Sequence, residues 1–333
     1  MILVSKAILH ILDFTSGMTV FSDQELELQN DSVNTFVTKH IEKTYQDQNA
    51  KAGAFHTDSN FKRQLADYLE GKLDFAAFSV TIAEAMQAAV SRADAADSFD
   101  VLVCDLRVED NRVIGILKCN NKVGFTHQVI QTDAKIKNEI INHFAILPSL
   151  TQKIDEYAFI DVDSLAIRFV DKKLVVNGEE TYVLPEKILG CSSAVSPNST
   201  IKLVKSITEK VAENHGQSSV AAISKVKNYM VEHMETSEVL DPVELGRKVF
   251  RASPVMQEEY LAEVQKAGIA EAVKVDRDFC VKKGRNHKIK TDTGIEISFP
   301  VDYFENKEYM EFVNNPNGTI SIQLKNIGKI MNK

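Results

Sequence analysis

Residues 74–119 read DFAAFSVTIAEAMQAAVSRADAADSFDVLVCDLRVEDNRVIGILKC, and the hydrophobic period changes within them. Phe75, Phe78, Ile82, Met86, Ala89 and Val90 recur at the spacing of one helix face, and Asp74 stands where a cap would accept the first free N–H groups. Such a stripe of aromatic and Met side chains reads as core rather than as a cofactor pocket. From Phe99 the period becomes two. Phe99 to Arg107 and Val113 to Cys119 read as strands joined at Glu109-Asp110-Asn111. Phe125 to Gln131 alternates in the same way, which extends the reading to a three-stranded antiparallel meander. Helices first and a run of strands afterwards is the order of an α+β fold.

Working outward, residues 2–12 are rich in Ile, Leu and Val and read as a buried strand, with His10 a hydrogen-bonded core histidine. Asp31-Ser32 precedes a helical stripe from Val33 to Tyr45, and Thr57 to Leu69 is a second helix with Asp58 or Ser59 near its start. Strand-like pieces follow at Tyr157 to Ile160, Leu165 to Phe169 and Leu174 to Val176. Asn177-Gly178 then supplies the positive φ angles of a tight hairpin turn. A break at Ser196-Pro197 opens a helical stretch. Ile201, Val204, Ile207 and Val211 share one face, and Val220, Ile223, Lys227 and Met230 mark a further helix. Asp241-Pro242 and Ser253-Pro254 each place proline directly after a capping residue, the mark of a helix start. His287 to Lys290, Ile295 to Phe299, Tyr309 to Val313 and Thr319 to Leu324 end the chain as strands. The expected organisation is an α+β domain over 1–195 and, over 196–333, a domain with a helical segment and a small antiparallel sheet.

A chain of 333 residues, 44% hydrophobic and 26% charged, can bury a core without disulfides or metals. No run of ~18 apolar residues is present, and Met1 to Leu12 lacks the basic start and small-residue cleavage site of a secretory signal. Cys104, Cys119, Cys191 and Cys280 lie far apart with no C-x-x-C pair, which argues against a zinc ribbon and suits a reducing cytoplasm.

The formal net charge is −8, unevenly spread. Residues 196–333 carry 20 basic and 19 acidic side chains, net +1; the other 19 basic and 28 acidic residues give 1–195 a net of −9. An acidic total repels phosphate at long range, but salt confines that repulsion to ~8 Å and leaves local clusters free to act. One cluster stands out: Lys282, Lys283, Arg285, Lys288 and Lys290 put five cations in nine residues with no acid among them. It reads either as a solvated basic turn or as a phosphate contact. Gly284 suggests a mobile loop for Lys282, Lys283 and Arg285, and alternation about Ile289 puts Lys288 and Lys290 on one exposed face. Five phosphate contacts would give a log–log salt slope of roughly −4.5.

Catalytic motifs are missing. There is no P-loop, dinucleotide fingerprint, nucleophile elbow or H-E-x-x-H helix. Ser59/Lys62 and Ser224/Lys227 match S-x-x-K without its companion motifs and read as solvated helix faces. His233-Met234-Glu235 is half of a zinc-deaminase signature whose P-C-x-x-C half is absent. Asp161, Asp163, a strand and then Asp171-Lys172-Lys173 form the loose outline of a metal-dependent nuclease. The simpler reading is a charged hairpin tip at Asp171-Lys172-Lys173 with Asp161 and Asp163 on an exposed strand face. The chain is therefore read as non-enzymatic, with no catalytic residue, metal or cofactor.

Several stretches taken in order carry a resemblance. They are Ile8-Leu9-His10, then Tyr45, Lys51, Gly53 and Phe55, then Asp74-Phe75-Ala76-Ala77-Phe78-Ser79. The strands Phe99 to Arg107 and Val113 to Asn120 follow, and near the end Gly294 to Phe299 and Asn317-Gly318-Thr319. Together they resemble the bacterial 37-kDa nucleoid-associated proteins of the NdpA type, and the mass of 37.2 kDa agrees. The resemblance implies a cytoplasmic, nucleoid-localised protein that associates with DNA and is not known as an enzyme. It supplies no catalytic or base-reading residue, and Gly53, Phe75, Phe78 and Phe299 are of core type. The expectation is a protein that binds double-stranded DNA with little sequence specificity through Lys282, Lys283, Arg285, Lys288 and Lys290. No zinc-finger spacing, basic zipper or aromatic RNA platform is present to read bases. The rival is an interaction module recruited to the nucleoid by a DNA-bound protein partner, which the acidic 1–195 segment favours. No membrane partner is expected, and a homo-oligomer is compatible with the sequence.

Overall fold

The change of period at Phe99 marks the step from helix to sheet in the computed structural model, which describes residues 1–132, 135–234, 237–269, 272–304 and 306–331. The chain divides into two compact units, Met1–Ala194 and Val195–Lys333. The class is α+β.

The first unit opens with β1 (Ile2–Asp13), β2 (Met18–Val20), α1 (Asp31–Tyr45), β3 (Lys51–Gly53), α2 (Asn60–Leu69) and α3 (Phe75–Val90). It continues with β4 (Phe99–Val108), β5 (Asn111–Asn120), β6 (Lys122–Thr132), β7 (Lys135–Ile146), β8 (Tyr157–Asp161) and β9 (Ile167–Val170). The hairpin of β10 (Lys173–Val176) and β11 (Glu179–Tyr182) leads into a π-helical segment, Val183–Leu189. Seven strands form an antiparallel sheet in the order β2-β1-β4-β5-β8-β9-β3. Both faces are covered. Phe61 and Leu65 of α2 and Phe75, Phe78, Ile82 and Met86 of α3 pack on Val101, Val103, Ile114 and Ile116. Val37 and Ile41 of α1 pack on Leu102, Cys104, Leu106 and Leu117 from the opposite face. This is why β4 is buried from Phe99 to Leu106 without interruption: alternate side chains enter two different cores.

The stretch Asp74–Ser79 builds this arrangement. Asp74 accepts the Ala77 N–H at 2.7 Å and starts α3, while Phe75 and Phe78 enter the core. Ser79 meets His10 of β1 at 3.0 Å. His10 Nδ1 accepts the Ser22 N–H at 3.1 Å, so Nε2 carries the proton and donates it to Ser79. Burial holds this histidine neutral, at about 4. The motif residues thus serve the fold, as their core type suggests.

Several boundaries and partners differ from the sequence reading. Asn30 caps α1 and Ser59 caps α2, so these helices begin at Asp31 and Asn60. Phe125 to Gln131 is strand, but β6 does not continue a meander from β5. It pairs with β7, a strand absent from the sequence reading, while the second neighbour of β5 is β8. Alternation shows that a segment is extended; it does not say which strand accepts its hydrogen bonds.

The second unit holds α4 (Pro197–Asn214), α5 (Ser219–Met234), β12 (Val239–Leu240), α6 (Pro242–Val249), α7 (Pro254–Lys266), β13 (Val273–Lys274) and α8 (Arg277–Gly284). β14 (Asn286–Lys290), β15 (Glu296–Pro300), β16 (Met310–Asn314) and β17 (Ile320–Leu324) follow. Ser196, Asp241 and Ser253 cap their helices, each with proline next in line. The core gathers Ile201, Val204 and Val211 with Val226, Met230, Leu245, Tyr260 and Cys280. The terminal strands form separate two-stranded ribbons, β14–β15 and β16–β17, instead of one small sheet.

Candidate nucleic-acid interface

All five cations of the basic cluster are exposed, where α8 meets β14. Lys282 and Lys283 do not sit in a loop: they form the last turn of α8. Asp276 caps that helix by accepting the Phe279 N–H at 2.8 Å, and Asp278 lies in its first turn. Acid at the start and Lys at the end complement the helix dipole, which makes a turn this polar stable as helix. Gly284 continues the helix because α5 lies against it. A Cβ there would come within 2.7 Å of Val231 Cγ2 and 3.1 Å of the Lys227 carbonyl oxygen. The glycine marks a close helix contact where the sequence suggested a flexible loop.

Strand pairing sets the remaining charges. His287 opposes Phe299 on the inner face of the β14–β15 ribbon, their rings stacked with centroids 5.4 Å apart. Lys288 opposes Ser298 and Lys290 opposes Glu296 on the outer face. Lys290 lies 3.3 Å from Glu296 and so starts ion-paired. Lys283 lies over the Phe279 ring, 5.6 Å from its centroid. Lys282, Arg285 and Lys288 have no acidic partner among the described residues.

Two further lysines, missed by sequence reasoning, join this cluster from α4 and α5. Lys227 is buried, and its ammonium donates to the Asn286 carbonyl at 3.0 Å, tying α5 to the α8–β14 turn. Burial first, then the charge of Lys205, push it down to about 8. Lys205 is itself lowered, by burial and then by Lys283. His287 falls to about 4 through burial with Lys227 and Lys205 beside it. Glu209 offsets part of this field. Ser224 and Lys227 therefore do not form a solvated helix face: both are buried. Ser59 is buried too, its hydroxyl capping α2 and donating to the Leu189 carbonyl at 2.7 Å. Cations crowded by separate elements with few acids repel one another, and an anion on the outer surface relieves that repulsion.

The outline of a nuclease does not assemble. Asp161 Oδ1 accepts the N–H and hydroxyl of Ser164 in a local turn, and Asp163 is exposed. Lys172 pairs with Asp155 at 3.2 Å and Lys173 with Glu180. Asp171 is not at a hairpin tip; the tip is Asn177-Gly178, with φ of 52° and 80°. Asp171 Oδ2 accepts the Leu184 N–H at 2.7 Å at the start of the π-helical segment. Among the described residues, no group of three His, Cys, Asp or Glu side chains could hold a metal ion. Glu235 of the His233-Met234-Glu235 match lies outside the described residues.

Burial raises the Asp171 carboxyl to about 7. The folded state therefore keeps a proton that the unfolded chain releases near pH 4, and stability falls as pH rises from about 4 to 7. Asp171→Asn retains an acceptor for Leu184 and removes the titration. It is expected to stabilise the protein by ~2 kcal/mol at pH 8, after discounting for residual exposure, and not at pH 4. Urea unfolding at both pH values checks this; an equal gain at both would assign the effect to something other than the proton.

No helix among the described residues is long and apolar enough to cross a membrane. Over residues 8–332 the chain matches a family model, NA37, described as nucleoid-associated protein YejK. No curated protein matches it.

Proposed function

The chain belongs to the NA37 family of nucleoid-associated proteins, and from that premise we propose that it binds duplex DNA directly, through phosphate contacts and with little sequence preference. The family places it at the nucleoid, in the cytoplasm. Lys282, Lys283, Arg285 and Lys288 form the contact surface, with Lys205 beside Lys283 enlarging it. Lys290 plays a lesser part, because engaging a phosphate requires it to leave Glu296. The observation that carries this reading is that all five cations of the run are exposed at one junction of helix and ribbon, backed by buried Lys227. Such a surface holds a backbone and releases its counterions without reading base edges. The protein acts by binding and not by catalysis.

The test is duplex binding across a salt series by fluorescence anisotropy. Four freely engaged cations give a log–log slope of roughly −3.6, at ~0.9 per phosphate. Replacing Lys282, Lys283, Arg285 and Lys288 by Ala is expected to weaken binding to every sequence alike and to flatten the slope towards zero. The four side chains are exposed, so circular dichroism should report an unchanged fold. An unchanged slope in the folded variant would favour recruitment by a DNA-bound partner, docked on the acidic first unit.

A further inference from the structure

The β6–β7 ribbon is two strands wide and pairs with no third strand among the described residues. Its register opposes Phe125 to Asn142, His127 to Ile140, Val129 to Asn138 and Gln131 to Ile136, so these eight side chains share one face. All eight are exposed. Phe125 is 75% exposed, Val129 59%, Ile136 71% and Ile140 80%. A lone two-stranded ribbon is marginally stable in water, and apolar residues presented together this way mark an interaction surface.

We propose that this face is where two copies of the chain associate, apolar face against apolar face. Charge points to a second copy as the occupant. A two-fold interface pairs residue i with residue j and j with i, so every formal charge buried on it needs an opposite charge at its partner position. This face carries none: it holds apolar side chains with Asn, Gln and histidine. Lys137 and Glu139, which pair with each other, point to the opposite face. A phosphate backbone would find no cation here. Area points the same way. Four such side chains at these exposures leave on the order of 500 Å² uncovered per copy, so two copies bury ~1,000 Å², where specific interfaces begin. The inference is independent of the DNA reading. If both hold, each dimer carries two DNA surfaces, and binding gains from their linkage.

Sedimentation of the full chain tests it. Wild type is expected to be a dimer at micromolar concentration. Phe125→Lys with Ile140→Lys sets like charges across the seam and should weaken association roughly a hundredfold or more. Both positions are exposed, so circular dichroism should report an unchanged fold, and the thermal melt should lose only the concentration-dependent part that association adds. Cys104, Cys119, Cys191 and Cys280 are all buried. Val129→Cys should therefore give a disulfide-linked dimer under diamide, and its appearance would support the seam. A monomeric wild type, a double-Lys variant that remains dimeric, or a monomer that instead partitions onto lipid vesicles through Phe125 and Ile140 would each overturn the proposal.

Discussion

Arg112→Ala is expected to destabilise the Met1–Ala194 unit by about 3 kcal/mol, the low end for breaking a buried ion pair. Asp105 is 4% exposed on β4, an interior strand between β1 and β5. Its carboxylate accepts the Tyr68 hydroxyl at 2.6 Å, Arg112 Nη2 at 2.5 Å and Arg112 Nε at 3.1 Å. The guanidinium also lies 5.4 Å from the Tyr68 ring centroid, so one residue of β5 ties α2 to the sheet. Removing it strands a carboxylate inside the protein with one hydroxyl for company. The cost falls at the low end because the Arg112 side chain is 36% exposed and water can reach the gap. The double variant Asp105→Asn with Arg112→Met removes the charge together with its partner and should recover most of the loss. Urea unfolding of both variants decides it. If the double variant is as unstable as the single one, lost packing and not the stranded charge is the cause.

How much of this was legible in the sequence depends on the distance over which each feature acts. The Asp74 cap, the α3 stripe and the β4–β5 hairpin were readable because cap, period and turn lie within a few residues of one another. The ribbon β6–β7 was not. Phe125 to Gln131 shows the same alternation whichever strand it pairs with, and its exposed apolar face looks in sequence like a core face. Helix α8 was hidden for another reason. Eight residues with Phe279, Cys280 and Val281 adjacent give no helical period, and its stability rests on the Asp276 cap and on α5. Asp171 reads as a turn residue beside two lysines, yet the backbone of Leu184 draws it inward. Of the proposed interface, the five cations of the run 282–290 could be read directly. Lys205 and Lys227 could not, because only the packing of α4 and α5 brings them to it.

That dependence on packing leads to the second large effect. Gly284→Val is expected to destabilise the Val195–Lys333 unit by ~3 kcal/mol, the upper range for overpacking a tight contact. Cβ alone would lie 2.7 Å from Val231 Cγ2 and 3.1 Å from a backbone carbonyl, and neither a β-branched side chain nor a helix backbone yields cheaply. α8 must then move away from α5. Lys227 can no longer hold the Asn286 carbonyl at 3.0 Å, and the field that Lys205 and Lys227 add beneath Lys283 weakens. No charge has been removed. DNA affinity at fixed salt should nevertheless fall roughly tenfold, equivalent to ~1.4 kcal/mol. The salt slope should change less than in the four-fold Ala variant, because under the proposed reading Lys282, Arg285 and Lys288 keep their charges for phosphate contact. Gly284→Ala, with two fewer methyl groups to place, should lie between Val and wild type in both stability and affinity. Thermal melts and anisotropy titrations on the three proteins provide the comparison. A Val variant that melts lower but binds as wild type would show that phosphate contact needs the charges alone and not their placement by α5.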